Sequence, residues 1–363
     1  MAEVTKERIE EAIKGYIEPH MEKNLVDAKC VKGVDIDGNA IKIKVELGFP
    51  ARGFIDDIAA QVKDRVEAVE GVNSAEVEIG WKVVAHSVQK SLKPIDNVKN
   101  IIAVASGKGG VGKSTTAVNL ALALSAEGAK VGILDADIYG PSQPRMLGVT
   151  GQPESRDGKT LEPMENYGLQ AMSIGFLVDE ETPMIWRGPM VTQALEQLLN
   201  DTNWDELDYL VIDLPPGTGD TQLTLAQKVP VSGAVIVTTP QDIALLDARK
   251  GFKMFEKVEV PVLGIVENMS IHICSNCGHR EHIFGEGGGV RMAQQYGVEF
   301  LGALPLDIRI REETDGGKPT VVADPNSDIS LIFREVARKA AAKLALQAKS
   351  YAAKFPNIVI QNN

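Results

Sequence analysis

The sequence predicts an α/β protein in which a mostly parallel sheet is flanked by helices, preceded by a small α+β domain. From Ile101 onward, apolar runs typical of buried strands alternate with helical patterns, as in parallel sheets covered on both faces. Before residue 82, two helical patterns instead alternate with short runs that have a period of two. The chain has 363 residues, which exceeds one ordinary core and fits a large domain with a smaller companion.

Three segments follow from this change in pattern. Residues 1–82 are predicted to form the small domain, 83–98 a linker with weak periodicity and a proline, and 99–363 the large domain. In the small domain we expect a helix at about 4–16, two strands around the turn "DGN", a helix from 53 to 69, and a strand "SAEVEIGW".

The strands predicted in the large domain are "NIIAVAS", "KVGILDAD", "LQAMSIGF", "YLVIDLPPG", "GAVIVTTP", "VLGIVENM" and "FLGALP". Polar and glycine-rich segments follow several of them directly. Since ligands of parallel α/β sheets bind at the carboxyl ends of the strands, we expect the functional site at this edge.

Composition narrows the classes of function. With 38 basic and 50 acidic residues, the formal charge of −12 argues against a broad nucleic-acid-binding surface. No apolar run approaches the ~20 residues of a membrane span, and the first residues predict an acidic amphipathic helix, so we expect a cytoplasmic protein. Three cysteines cannot form a disulfide framework for this length. Cys30 lies in a strand-like run and is expected to be a small buried hydrophobe.

The segment "SGKGGVGKST", between a strand and a helical run, has the pattern and context of a phosphate-binding P-loop. Its glycines allow successive backbone N–H groups to face phosphate oxygens at a helix N-terminus. Lys113 is placed to reach the β- and γ-phosphates, and the Ser114 hydroxyl to bind Mg²⁺. The residues predicted to bind ATP here are Gly107, Lys108, Gly109, Gly110, Val111, Gly112, Lys113, Ser114 and Thr115.

Lys108 is a second lysine that an ordinary P-loop does not require. The form "KGGVGKS" resembles the deviant Walker A sequence of the SIMIBI class of NTPases, in which this lysine crosses a dimer interface to the partner's nucleotide. A cation supplied in this way can stabilise the charge of phosphoryl transfer only after dimerisation. We therefore expect Lys108 to be catalytic and the protein to be a homodimer.

Four polar residues at other strand ends are predicted to complete the nucleotide site. Asp135 is expected in the outer shell of Mg²⁺, and Asp137 is the candidate catalytic residue that positions the attacking water. Asp213 ends a buried strand as a Walker-B-like magnesium carboxylate, before a "PPGTG" turn suited to moving around a γ-phosphate. Asn268 is expected to pair with an adenine edge.

Cys274 and Cys277 form the motif "CSNC" beside His272, His279 and His282. A redox dithiol, a zinc knuckle completed by two histidines, an iron–sulfur cluster and unliganded loop thiols are all open interpretations. A 4Fe–4S cluster needs about four thiolates, whereas one chain offers a single close pair. A two-fold dimer would supply the second pair, so the dimer predicted from Lys108 also suits a shared cluster.

The motifs together resemble the Mrp/ApbC-type iron–sulfur cluster carrier ATPases over about residues 98–341. They are "SGKGGVGKST", "DADIYGPSQPRMLG", "WRGPM", "DLPPGTGD", "VENMS", "CSNCGH", "FGEGGG" and "GALPLDIRIREETDGGKP". The N-terminal unit is similar to the small domain of metal–sulfur cluster assembly factors. The resemblance implies a homodimer that holds a 4Fe–4S cluster at Cys274 and Cys277, hydrolyses ATP slowly, and receives clusters from scaffold proteins for transfer to apoproteins.

Other classes of function are weighed against this one. A partition or septum-positioning ATPase on membrane or DNA would use the same P-loop, and the basic helix "FREVARKAAAKLALQAKSYAAKF" could lie on a membrane. That helix lacks bulky aromatic anchors on its apolar face, so we expect it to cover the sheet without stable membrane association. A zinc-binding regulatory ATPase is the other alternative, and an electron-transfer reductase would place its cysteines elsewhere.

Overall fold

The structure is a computed structural model that describes residues 4–86, 88–89, 92–178, 188–274 and 276–347. The helices are α1 (Lys6–Lys14), α2 (Ile55–Glu67), α3 (Lys113–Ala126), α4 (Gln143–Met146), α5 (Gly188–Asn200), α6 (Asp220–Lys228), α7 (Asp242–Lys257), α8 (Gly288–Tyr296), α9 (Ile308–Asp315), α10 (Thr320–Ala323) and α11 (Asp328–Ala345), with a 3₁₀ helix at Ile174–Phe176. The strands are β1 (Ile17–Glu18), β2 (Lys23–Asn24), β3 (Val31–Asp37), β4 (Ala40–Leu47), β5 (Ser74–Trp81), β6 (Val98–Ser106), β7 (Val131–Asp135), β8 (Met164–Asn166), β9 (Leu169–Ser173), β10 (Leu207–Asp213), β11 (Gly233–Thr238), β12 (Val262–Glu267), β13 (His272–Ile273), β14 (Arg280–Glu281) and β15 (Glu299–Ala303).

The large domain is built on an eight-stranded sheet in the order β15-β12-β11-β6-β10-β7-β9-β8. All neighbouring pairs are parallel except the short edge strand β8, which runs antiparallel to β9. This confirms the predicted fold class. The central strands are buried on both faces because helices cover both, which is why they appear in the sequence as continuous apolar runs.

The small domain has a three-stranded sheet, β3-β4-β5, with α1 and α2 packed beside it. The antiparallel β3–β4 pair turns at Gly38, which has a φ of +59°, as the "DGN" turn predicts. The strand "SAEVEIGW" coincides with β5, which pairs in parallel with β4. Between Trp81 and Val98 the described residues contain no helix or strand. The exact domain boundaries stay a prediction.

A buried ionic cluster joins the small domain to the large one at the end of α3. Glu127 is buried, and its carboxylate accepts hydrogen bonds from Arg334 at 2.7 Å, from Arg338 at 2.7 Å, and from the backbone N–H of Gly53 at 2.9 Å. Burial raises the pKa of Glu127, but these three donors together lower it below its usual value. The side chain therefore stays ionised while it holds both domains.

A second contact between the domains is centred on His20. Its Nδ1 lies 2.6 Å from Glu18 Oε1 and its Nε2 lies 2.9 Å from Glu335 Oε2 on α11. Phe54 packs edge-on against the ring, with 4.8 Å between centroids. Burial lowers the pKa of His20, but the two carboxylates outweigh that effect and raise it to about 8.

The last described helix covers the sheet, as predicted. The apolar side of α11 is buried against α3 and β15, and includes Phe333, Val336 and Ala340. No helix among the described residues is long and apolar enough to cross a membrane. The remainder of the basic helix predicted here, from residue 348 onward, lies outside the described residues.

Candidate functional site

The P-loop connects β6 to α3 and is shaped by glycines that have different tasks. Gly110 and Gly112 have φ angles of +81° and +82°, a region that strains other residues. Gly107 is needed for a different reason, because a Cβ there would lie 2.1 Å from the carbonyl carbon of Asp247 on α7. The loop therefore turns tightly at the N-terminus of a 14-residue helix, where free backbone N–H groups can bind phosphate.

Lys113 is buried and forms an ion pair with Oδ1 of Asp213 at the end of β10. Its ammonium also lies 3.2 Å from the Ser114 hydroxyl. The other carboxylate oxygen of Asp213 accepts a hydrogen bond from Nε2 of Gln143 at 2.9 Å. The structure thus brings together Lys113, the serine predicted to bind magnesium and the Walker-B-like aspartate. This donor set fits a hydrated Mg²⁺ bound to nucleotide phosphates.

Asp135 organises the loop that follows β7. Its Oδ2 accepts hydrogen bonds from the backbone N–H groups of Ser142 (2.9 Å) and Gln143 (3.0 Å) and from the Ser173 hydroxyl (3.1 Å). Its Oδ1 accepts one from the N–H of Asp137 at 3.2 Å. Burial and then the nearby Asp213 carboxylate raise the pKa of Asp135 to about 7, although the backbone donors oppose this. Its predicted role in the outer shell of the metal stays a prediction.

Asp137 lies two residues further along this loop and is half-buried. Burial raises the pKa of its carboxyl group, which the Lys113 ammonium partly offsets and the Asp213 carboxylate reinforces. A raised pKa suits a residue that accepts a proton from water. Asp137 thus lies close enough to Lys113 and Asp213 for their charges to shift its pKa. Its catalytic role stays a prediction.

The turn that follows Asp213 packs against the P-loop. The backbone N–H of Gly217 donates to the carbonyl of Ser106 at 3.1 Å, and Gly109 lies opposite Pro216, whose Cβ is 3.9 Å from the position of a Cβ at the glycine. Lys108 lies in this part of the P-loop and is half-buried, and its ammonium forms no hydrogen bond or ion pair with another described residue. A cation that pairs with no described residue at this place is available to a ligand or a second chain.

Asn268 is buried directly after β12, and its side chain contacts the P-loop. Its Nδ2 donates to the carbonyl of Val111 at 2.9 Å, and its Oδ1 accepts from the N–H of Met269 at 2.9 Å. A Cβ on Gly112 would lie 2.1 Å from Nδ2, which is a further reason for glycine there. The structure therefore gives Asn268 a role in supporting the loop, while its contact with adenine stays a prediction.

The cysteine pair lies in a small hairpin between β13 and β14. Cys274 donates its N–H to the carbonyl of His279 at 2.9 Å, and the N–H of Gly278 donates to the carbonyl of Cys274 at 2.8 Å. The backbone N–H groups of Cys277 and Asn276, and then the Cys277 thiol, lower the pKa of the Cys274 thiol. Cys277 is exposed and Cys274 half-buried, and Ser275 between them lies outside the described residues. The hairpin thus favours a thiolate at the protein surface.

The neighbouring histidines are held by backbone carbonyls. His272 Nδ1 lies 3.1 Å from the carbonyl oxygen of Leu306, and His282 Nδ1 lies 2.7 Å from that of Ser270. Across the described residues, no three histidine, cysteine or acidic side chains lie close enough together to hold a metal ion. At the hairpin, the described residues of one chain therefore provide the two thiols and no third metal-binding side chain beside them. The third cysteine, Cys30, is buried in the small domain, as predicted.

The segment "FGEGGG" positions α8 against the end of β12. The N–H of Gly289 donates to the buried Glu267 carboxylate at 2.6 Å, and a Cβ on Gly289 would lie 2.9 Å from that of Glu267. A Cβ on Gly288 would lie 2.7 Å from the carbonyl oxygen of Pro240. Glycine at these two positions thus lets the start of α8 pack closely against Pro240 and Glu267, next to the cysteine hairpin. In the motif "WRGPM", Trp186 and Arg187 lie outside the described residues.

Sequence reasoning missed two residues that the structure brings to the nucleotide site. Gln143 links Asp213 to the P-loop, and Ser173 at the end of β9 donates to Asp135. The available signal for Ser173 is its position at a strand end, since polar residues at that edge tend to face a ligand. Gln143 lies eight positions after Asp135 in a loop whose conformation the sequence does not reveal.

Comparison with known proteins gives matches over most of the chain. Residues 97–341 match the family described as NUBPL iron-transfer P-loop NTPase, and residues 6–79 match the family described as iron-sulfur cluster assembly protein. An iron-sulfur cluster carrier protein of Pseudomonas fragi is 64% identical over 274 residues, 75% of this chain and 96% of the relative. One from Escherichia coli K12 is 52% identical over 332 residues, 91% of this chain and 90% of the relative.

Among solved structures, a nucleotide-binding protein of Archaeoglobus fulgidus in complex with ADP is 41% identical to this chain. It superposes with a TM-score of 0.56 and covers 64% of this chain and 91% of its own. These findings confirm the predicted resemblance and the enzyme class, a P-loop ATPase. The chain belongs to the family of NUBPL iron-transfer P-loop NTPases and carries an iron-sulfur cluster assembly domain ahead of the NTPase.

Proposed function

We propose that the protein is an ATP-hydrolysing carrier that holds a 4Fe–4S cluster at a homodimer interface and transfers it to apoproteins in the cytoplasm. The observation that carries the proposal is that one chain of this family combines a P-loop with a surface thiol pair, beside which the described residues place no third metal-binding side chain. The names of the relatives from P. fragi and E. coli support the carrier role. Scaffold proteins are the proposed donors of the cluster.

The nucleotide site supports hydrolysis through the positions of its own residues. Mg²⁺ would screen the charge of the phosphates, and Ser114 and Asp213 are the residues to hold it. When nucleotide binds, the P-loop N–H groups would hold phosphate oxygens beside the Lys113 ammonium. Lys113 would then pair with these oxygens instead of with Asp213. Asp137, with its raised pKa, would orient the attacking water and take its proton.

Three exposed apolar side chains, here called the apolar patch, lie on segments next to the P-loop and the cysteine hairpin and support dimerisation at this edge. Ile243 and Leu246 on α7 are 65% and 50% exposed, and Ile283 beside the cysteine hairpin is 50% exposed. The backbone of the same helix abuts the P-loop at Gly107. Large apolar side chains exposed beside a functional site are typical of an interface. A second copy placed on this patch would bring its own Lys108 and its own thiol pair to the site.

The thiol pair supports a transferable cluster. Two chains related by a two-fold axis would contribute four thiolates, the number that a 4Fe–4S cluster requires. Because Cys277 is exposed, the cluster would lie near solvent, where an apoprotein can approach it. Backbone donors that lower the pKa of Cys274 favour the thiolate form that binds iron.

Anaerobic reconstitution of the full chain with iron and sulfide tests the proposal. We expect about four iron and four sulfide per two chains, with a broad visible absorption, and a dimer in sedimentation. The double variant Cys274→Ala/Cys277→Ala should lose the cluster and still bind ATP. Cys30→Ala is the matched control, and it should keep the cluster because Cys30 is buried in the other domain.

The second half of the experiment is transfer. Loaded protein mixed with an apo ferredoxin-type acceptor should restore the acceptor's spectrum, and the double cysteine variant should not. Tight binding of zinc without uptake of sulfide, or two iron per chain in a monomer, would contradict the shared cluster.

A further inference from the structure

Gln143 is the first residue of α4, and the loop before it is folded by Asp135. The carboxylate of Asp135 accepts the backbone N–H groups of Ser142 and Gln143, which draws the chain back over the carboxyl end of β7. The side chain of Gln143 is 1% exposed. A long polar side chain is seldom buried so completely unless its amide has specific partners.

The amide nitrogen of Gln143 has two partners, and both belong to the nucleotide site. Nε2 donates to Oδ2 of Asp213 at 2.9 Å and to the backbone carbonyl of Ser114 at 3.2 Å. A carboxylate and a carbonyl can only accept, so the NH₂ group must face them and the amide orientation is fixed. Gln143 therefore links the two residues proposed to hold magnesium.

The amide oxygen of Gln143 has no such partner. Oε1 is buried and accepts no hydrogen bond from any described residue. A buried amide oxygen without a donor costs about 1–3 kcal/mol, so such an atom indicates a missing ligand or water. It belongs to the same planar group as Nε2 and so lies beside Asp213 and Ser114. A water bound to Mg²⁺ is a strong donor and would satisfy it.

We propose that Gln143 is a positioning residue of the magnesium site, which orients Asp213 through Nε2 and accepts a hydrogen bond from a metal-bound water through Oε1. The inference rests on the proposed magnesium–nucleotide site. Lys113 holds Oδ1 of Asp213 in the structure, and a P-loop lysine is needed at the phosphates when nucleotide binds. Gln143 would keep its hydrogen bond to Oδ2 in that state, which would leave Oδ1 of Asp213 available to the metal.

The test measures binding of a fluorescent ADP to the full chain, first without divalent metal and then during titration with Mg²⁺. Gln143→Met keeps the volume of the side chain and removes both amide functions. We expect its apparent affinity for Mg²⁺ in the ADP complex to fall roughly 10-fold, the usual effect of losing a residue that orients a metal ligand. Its affinity for ADP without metal should stay within about 2-fold of wild type.

Two further variants keep the outcome interpretable. Gln143→Glu retains an oxygen that accepts from a metal-bound water but loses the donor to Asp213. Because that donor is lost, its Mg²⁺ enhancement should fall several-fold, and its added charge should weaken metal-free ADP binding. Gln170→Met is the matched control, because Gln170 bonds to the backbone of Asp205 away from the P-loop, and it should change neither quantity. Thermal unfolding of each variant shows whether it folds.

Each result has a definite meaning. An unchanged Mg²⁺ affinity in Gln143→Met, or an equal loss of ADP affinity with and without metal, would overturn the positioning role alone. Absence of any Mg²⁺ effect in the wild-type protein would instead overturn the magnesium site, and the role of Gln143 with it. If Gln143→Met does not fold, the decision falls to Gln143→Glu, in which a Mg²⁺ enhancement equal to that of wild type would contradict the orienting role of Nε2.

Discussion

Asn268 Nδ2 donates a hydrogen bond to the carbonyl oxygen of Val111 across 2.9 Å, joining the end of β12 to the middle of the P-loop. Six residues further along the chain lies Cys274. The segment between them is fixed by Ser270, whose N–H donates to Leu304, and by His282, whose ring bonds to the Ser270 carbonyl at 2.7 Å. The nucleotide loop and the thiol pair are therefore linked through one short, hydrogen-bonded segment.

Asn268→Asp tests whether this residue supports the loop or reads the base. The variant keeps the acceptor for the N–H of Met269 and loses the donor to Val111. Loss of one hydrogen bond that leaves a buried carbonyl unpaired costs about 1–3 kcal/mol, so ATP affinity should fall at least about 5-fold. If Asn268 only supports the loop, GTP binding should fall by the same factor. Loss of a preference for ATP over GTP would instead identify a contact with adenine.

Glu127→Gln should loosen the contact between the two domains. The change removes the charge that faces Arg334 and Arg338 in a buried cluster, where breaking one partner costs about 3–5 kcal/mol. Urea unfolding should show a clear drop in the free energy of unfolding, or a separate early transition of the small domain. Glu206→Gln is the matched control, because its pair with Lys130 is 75% exposed on the Glu206 side and should contribute little. Equal stability of both variants would contradict a stabilising role for the buried ionic cluster.

His20 should make stability depend on pH in a defined range. Its pKa in the fold is about 8, above its ordinary value of 6.5, so the protonated form is favoured by folding. The stabilisation, about 2 kcal/mol, is fully present below pH 6.5 and is lost as pH rises through 8. Urea unfolding at pH 6 and pH 9 measures it. His20→Gln should flatten the dependence, whereas His279→Gln, in the exposed hairpin, should leave it intact.

Sequence patterns were sufficient to predict the sheet because β6, β10 and β11 are buried on both faces. Such strands appear in the sequence as long apolar runs. The P-loop was equally clear, since its glycines, lysine and flanking elements must occur together. Gln143 and Asn268 show where this reasoning stops. Their side chains bond to groups that lie far away in sequence, and such contacts depend on how loops fold over the sheet edge. The cluster of Glu127 with α11 spans more than 200 positions and was likewise out of reach.

The last prediction separates a lysine acting within one chain from one acting across a dimer. Lys113→Ala should abolish ATP binding, since it removes the ammonium nearest to Ser114 and Asp213. Lys108→Ala should still bind ATP, because its ammonium is predicted to act on the partner's nucleotide and the P-loop backbone is unchanged, but turnover should fall at least ~10²-fold if it stabilises the transition state.

Mixing the two inactive variants then decides between the alternatives. In a mixed dimer the Lys108→Ala chain binds ATP, and the Lys113→Ala chain can still present its own Lys108 to that site. Activity should therefore return on mixing, up to a fraction set by the share of mixed dimers, and should scale with protein concentration as association does. Two copies of Lys108→Ala mixed under the same conditions serve as the control. No recovery in the mixture, with dimers present in sedimentation, would mean that Lys108 serves only the nucleotide of its own chain.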